Sequence, residues 1–218
     1  MFNNPICKSL LMLGSGLLML FMLPAHADAL GERIAGLQHG WAQSYYQLPE
    51  AQKPASFDAL IGTAASVAAE YPARAEPMIW QAIILSSAAK FQGGLGALSK
   101  IKQARELLLS AEKIDAKALA GSVYTSLGSL YAKAPGWPLA FGDKKQAAAY
   151  LQKALAINPD GIDPNYFYGD LLLEQKNAVE AERYLNKALA AAPRPGREDA
   201  DAGRRAEITQ ALAQLKQG

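Results

Sequence analysis

The chain has 218 residues, with 22 lysines and arginines against 20 aspartates and glutamates, two histidines and one cysteine. That near-neutral balance supplies no basic field for a nucleic-acid partner, and a single cysteine excludes an internal disulfide framework. Hydrophobic residues make up 50% of the chain, alanine is abundant and β-branched runs are scarce, which points to helices around one core or in one short solenoid.

Residues 1–27 read as a secretion leader. Lys8 supplies the positive start, Leu10 to Leu23 is an apolar run short for a membrane span, and Ala25-His26-Ala27 is a small-x-small cleavage site before Asp28. Cys7 precedes the apolar run, so it is not placed as a lipoprotein cysteine. Cleavage leaves a chain without cysteine and with His39 as its one histidine, suited to an oxidising compartment. The expected location is the periplasm, with no stable membrane span after cleavage; an uncleaved inner-membrane anchor is the alternative.

From Ala29 the pattern is helical. Leu30, Ile34, Leu37, Trp41 and Tyr45 form one stripe, and Gln47 to Ala55, with Pro49 and Pro54, breaks it. Ser56 to Tyr71 reads as the partner helix, and Glu76-Pro77 opens another through Trp80, Ile83, Ile84 and Ala88. Extra residues lie between Leu85 and Ala104, around Phe91 to Gly96, and between Tyr131 and Ala147, around Ala134 to Asp143. Both stretches are expected as loops between the two helices of a hairpin, neighbours on one edge with Gln47 to Ala55 beside them. Asp143 with Gln146 reads as a capping box, and Asp163-Pro164 as an N-cap followed by proline at the first helical position. Past Pro193, Arg194 to Gly203 is a charged link. Arg204 to Lys216, with Ile208, Ala211, Leu212 and Leu215 on one face, is an amphipathic helix that covers the end of the array.

The stretch from Ile162 to Pro193 is the most regular. Gly169, Ala181 and Ala188 are small where two helices must touch, Leu172, Leu185 and Leu189 fill the space between them, and Pro193 ends the second helix. Ala147, Leu151, Ala154 and Pro159 repeat that series at a spacing of about 34 residues. Ala104, Leu108 and Ala111 repeat it further back, then Leu60, Ala64 and Val67. On these residues the chain resembles the tetratricopeptide-repeat superfamily, from about Leu30 to Pro193. The last unit is a close match and the first two are degenerate; an ordinary alanine-rich helical bundle is the competing reading. The resemblance implies an all-α, right-handed superhelical solenoid of about four hairpins over residues 28–193, with a link and capping helix over 194–218.

It also implies a concave groove lined by the first helix of each hairpin. By position, those residues are Asp163, Tyr166, Asp170, Leu173 and Glu174 in the last unit. Ser122, Thr125, Ser129, Ala132 and Lys133 hold the places before them, and Glu76, Ile79, Ile83, Ser86 and Ser87 the earlier ones. The groove lacks the ring of lysine and arginine that grips a C-terminal carboxylate in chaperone-binding members, so that specificity is not carried over. Tyr166 and Leu173 serve equally well as packing for the capping helix. A second candidate surface is the loop edge, Phe91, Trp137, Pro138 and Phe141, whose rings either fold back onto the hairpin tips or form a contact patch.

Catalytic constellations are nearly absent. Without cysteine and with one histidine, the mature chain has no Cys/His nucleophile pair and no common zinc set, and Gly93-Gly-Leu-Gly96 is not a phosphate loop. Asp163 with Asp170 is better explained as a cap and a groove residue than as an acid/base pair, and His39 as a surface or packing residue. No cofactor and no metal are expected. The reading is a noncatalytic periplasmic scaffold that binds an envelope protein or peptide. The alternative is an accessory of a solute transport system that contacts a solute-binding protein or a small ligand. Self-association through the first hairpin stays open, and an enzyme is the least supported class.

Overall fold

Small residues at fixed points let helices pair, and the pairs stack. The structure, a computed structural model, describes residues 23–215. Among these are nine α-helices and no strand: α1 (Leu23–Ala42), α2 (Lys53–Glu70), α3 (Ala75–Gln92), α4 (Gly94–Asp115), α5 (Ala118–Lys133), α6 (Lys144–Ile157), α7 (Ile162–Glu174), α8 (Ala178–Leu189) and α9 (Glu198–Leu215). A π turn, Gln43–Gln47, and a 3-10 turn, Glu50–Gln52, join α1 to α2. The expected leader lies outside the described residues, except that Leu23 to Ala27 begin α1.

The pairs are α1/α2, α3/α4, α5/α6 and α7/α8, with α9 against the last. Within a pair, glycine sets the approach. A Cβ on Gly169 would lie 2.9 Å from Leu185 Cγ and 3.3 Å from the Ala181 carbonyl oxygen. A Cβ on Gly128 would lie 2.5 Å from Leu151 Cγ and 3.2 Å from the Ala147 carbonyl oxygen, the same arrangement one hairpin earlier. Ala147, Leu151, Ala154, Ala181, Leu185 and Ala188 are all fully buried at 0% exposure, as the repeat requires. Continuous apolar clusters run down the stack: α1 to α3, then α3 to α6, then α5 to α7, then α7 to α9.

Three expectations are corrected. The extra residues around Phe91 to Gly96 are not a loop: they lengthen α3 and α4, and Gly93 and Gly94 (φ +67° and +65°) reverse the chain between them. Glycines that look like loop composition here supply only the positive φ of a tight reversal. Asp163 is not an N-cap. Gly161 holds that place, and Asp163 sits in the first turn of α7, where a carboxylate faces the helix's positive end. The link to the capping helix is also shorter than the charges suggest, because α9 is helical from Glu198.

The ends of the other elements follow their chemistry. Asp143 caps α6, accepting from the backbone N–H of Lys145 at 2.8 Å and of Gln146 at 3.0 Å. Ala134 to Asp143 is a true loop with a cis Trp137–Pro138 bond. At the start of α5, where the repeat lacks its proline, the chain kinks through Leu119, Ala120 and Gly121 at φ +51°, +54° and +76°. The first two positions strain L-residues, at a cost of about 1 kcal/mol each.

Candidate functional site

The first helices of the hairpins, α1, α3, α5 and α7, face the inside of the curve, joined by the start of α4 and by α9. Together they bound a chamber of about 1150 Å³. The second helices α2, α6 and α8 contribute nothing to its wall. The closing element is α9. Its C-terminal half places Ile208 against Ile162, Leu185 and Ala188, as a cap should. Its N-terminal half reaches the other end of the stack, where Ala200 is buried in the α1–α3 cluster with Trp41 and Trp80. A Cβ on Gly203 would lie 2.3 Å from Tyr46 Cγ, so the absence of a side chain lets the Tyr46 ring lie on α9. Tyr46 Oη donates to Glu207 Oε2 at 3.0 Å, and His39 Nδ1 lies 3.3 Å from Asp199 Oδ2.

A charged network holds this closure. Asp163 accepts from Arg194 Nη1 at 2.7 Å and from Arg204 Nε at 2.9 Å. Arg194 Nε also donates to Asp201 Oδ1 at 2.7 Å, and Arg204 Nη1 to Glu207 Oε2 at 2.6 Å. The Arg204 guanidinium lies over the rings of Tyr166 (4.4 Å) and Phe167 (4.7 Å). Burial works to raise the Asp163 pKa, but Arg204 and Arg194 outweigh it and hold the carboxyl at about 2. Burial, with Glu207 next, pushes the Tyr45 and Tyr166 hydroxyls up to about 12. These side chains brace the closure, each carboxylate matched to a cation.

Of the residues expected to line a groove, Ile83, Ser86, Ser87, Ser122, Thr125, Ser129, Lys133, Asp163, Tyr166 and Asp170 line the chamber. Ile79 does not: it is at 0% exposure in the core between α3, α4 and α5. Glu76 faces away and pairs with Arg74. The residues of α3 on the wall are Trp80, Ile83, Ser86, Ser87, Ala89 and Lys90, so the expected places hold from Ile83 onward and fail nearer the start of the helix. Leu173 packs under α9 with Ile208, Leu212 and Leu215. Glu174 lies outside the chamber wall and is held by Lys133 and Lys144.

The loop-edge residues divide. Phe91 folds inward, its ring centroid 5.5 Å from Phe57 and 5.4 Å from Tyr45. Phe141 packs on Tyr131 at 5.2 Å, beneath the Arg105 guanidinium. Trp137 is 89% exposed and Leu139 62%, with Pro138 exposed between them. The residues that close the chamber, Tyr46, Arg194, Arg197, Gly203, Arg204 and Glu207, are not among those the sequence points to. Their only trace there is an unusual density of alternating charges between Arg194 and Glu207, without an apolar stripe. Among the described residues no group of three or more histidine, cysteine or carboxylate side chains is placed to hold a metal, and no helix is long and apolar enough to cross a membrane.

A family model for the tetratricopeptide repeat matches residues 139–199, the third second-helix, the fourth hairpin and the start of α9. Among solved structures, the chain is similar to a thermophilic TPR protein of Thermus thermophilus, with 18% identity, a TM-score of 0.57, and 87% of this chain and 95% of that one covered. Pseudomonas aeruginosa PilF also aligns, over 88% of this chain and 95% of that one, at 16% identity, and its TM-score of 0.37 is too low to carry an argument. No curated protein matches the chain. The repeat match and the fold likeness agree on an all-α solenoid of the tetratricopeptide-repeat type, a fold that suggests a scaffold for protein interactions.

Proposed function

Taking the chain as a tetratricopeptide-repeat superfamily solenoid that its own last helix closes, we propose that it is a noncatalytic, exported binding protein of the cell envelope whose chamber takes up a small ligand. The observation that carries this reading is the chamber itself. Its volume, about 1150 Å³, lies just above the range usual for small-molecule sites, and apolar side chains of α1, α3, α4 and α7 dominate its wall. An envelope peptide lying in an open groove fits less well, because α9 occupies the open side that such a peptide would enter.

A protein partner is favoured at a different place. Trp137 stands 89% exposed on a proline-braced loop, and a ring so fully in water gains most by being covered. This protein is then a ligand-holding accessory that touches an envelope partner, such as a solute-binding protein, through its loop edge.

Uptake is tested with the neutral fluorophore N-phenyl-1-naphthylamine, titrated against the purified protein and against Thr125→Trp, which puts an indole into the chamber. Saturable one-to-one binding by the native chain, lost in Thr125→Trp, is the expected result. Binding that survives the substitution, or none at all, refutes the chamber reading. For the loop edge, a photo-crosslinker at residue 137 in cells is expected to give one discrete heterologous adduct. Adducts only with itself would replace the envelope partner by a second copy.

A further inference from the structure

The ionic bookkeeping of the chamber wall does not balance. Its carboxylates all have cations: Asp163 has Arg194 and Arg204, Asp170 has Lys133 at 2.6 Å, Glu207 has Arg204, and Asp160 at the rim has Lys187 at 3.1 Å. Two wall cations have no carboxylate among the described residues. Lys90 Nζ donates only to the Tyr45 hydroxyl, at 2.6 Å. The Arg197 side chain makes no hydrogen bond and no ion pair there; its guanidinium lies 5.0 Å over the Trp80 ring, with Nε buried and unpartnered. Trp80, only 4% exposed, has an unpartnered indole N–H as well.

Arg197 is half-buried, and its Nε–H, closed off from water without an acceptor, is costly because it has shed water and received nothing in exchange. Asp163, Asp201 and Asp199 attract the guanidinium at a distance but bond elsewhere, to Arg194, Arg204 and His39, and Arg194 itself repels it. Burial and then Arg194 lower the Arg197 pKa, yet an arginine keeps its charge at neutral pH. Arg197 and Lys90 also flank one aromatic row: Trp80 meets Trp41 at 6.2 Å, and Trp41 stacks on Tyr45 at 5.0 Å beneath Lys90.

Away from the row, Ile83, Leu98, Ile101 and Phe167 each leave part of an apolar side chain on the chamber wall. We infer that the chamber is a site for a small organic acid: its anionic head sits on Arg197, and its apolar or aromatic body lies against Ile83, Leu98, Ile101 and Phe167. A neutral apolar ligand would leave Arg197 desolvated and unpaired. An anionic ligand supplies the acceptor that the fold withholds.

This inference deepens the ligand-holding reading and rests on it. Two probes separate them: 8-anilinonaphthalene-1-sulfonate, and N-phenyl-1-naphthylamine, which has the same rings without the sulfonate. The native chain is expected to bind the sulfonate at least about tenfold more tightly than the neutral probe. Arg197→Gln is expected to erase that preference, Arg197→Lys to keep most of it, and Thr125→Trp to abolish binding of both probes. Equal affinity for the two probes, or an Arg197→Gln variant that keeps the preference, overturns the acid site while the ligand-holding reading stands. Sulfonate binding that survives Thr125→Trp also overturns it, since the probe is then held elsewhere. Failure of both probes to bind the native chain removes both inferences together.

Discussion

Gly169 and Gly203 each give up a side chain so that another group can come close, but the groups lie at very different distances along the chain. At Gly169 the neighbour is Leu185, in the same hairpin; at Gly203 it is Tyr46, at the opposite end of the molecule. The first approach builds a hairpin, and any repeat of this kind makes it. The second turns an open superhelix into a chamber. The chemistry around them differs accordingly. The hairpin contact is sealed by aliphatic residues at 0% exposure, whereas the closure relies on an aromatic ring, two arginines and four carboxylates near the chamber wall. Burial of aliphatic surface is insensitive to pH and salt, while an ionic closure responds to both. The fold and its closure can therefore be perturbed separately.

The largest effect is expected at the hairpin contacts. Gly128→Val places carbon where Leu151 Cγ already sits and should cost about 3 kcal/mol or more, read as a lower urea midpoint at unchanged slope. Gly203→Val should cost less, about 2 kcal/mol, because one ring and one end of α9 can move away. The difference sharpens in a spin-label distance measurement between α1 and the N-terminal half of α9. That distance should lengthen in Gly203→Val, while the distance between α7 and α8 stays fixed.

Acid provides a milder test. The ordinary aspartate value of 3.8 falls to about 2 for Asp163 in the folded chain. Its ion pairs therefore stabilise fully above about pH 5, and that contribution, at most about 2 kcal/mol, fades as pH drops through 2. Chemical denaturation followed from pH 6 to pH 2 should show this loss, and a shallower acid limb in Asp163→Asn would confirm its source. The smallest effect is a gain. Ala120→Gly relieves an alanine at φ +54° and should stabilise by about 0.5–1 kcal/mol, read as a higher urea midpoint.

Legibility from the sequence follows the range of the contacts. The α7/α8 hairpin is readable because Gly169, Ala181 and Leu185 meet within one local unit, and the same roles recur at Gly128, Ala147 and Leu151 with an insertion between the first two. In α3 the same reasoning puts Ile83, Ser86 and Ser87 on the wall but also the buried Ile79, because the side of α3 that carries Ile79 packs in the core with α4 and α5. Phe91 reads as loop because three nearby glycines outweigh a helical pattern. In the fold it belongs to α3 and fills the space beside Phe57. Trp137 has two outcomes open in the sequence, folding back or exposure, and the exposed one is found.

By itself the sequence determined that the chain forms helical hairpins, how many there are, and that a final helix covers the last. Those features rest on local periodicity and on side-chain size at regular intervals, which a linear string displays. Only the tertiary structure decided that α9 also reaches α1, that the groove is thereby a chamber, and that Arg197 pairs with no carboxylate among the described residues. Closure depends on the accumulated turn of four hairpins bringing Tyr46 to Gly203. Such a sum of small rotations leaves no mark at any single position.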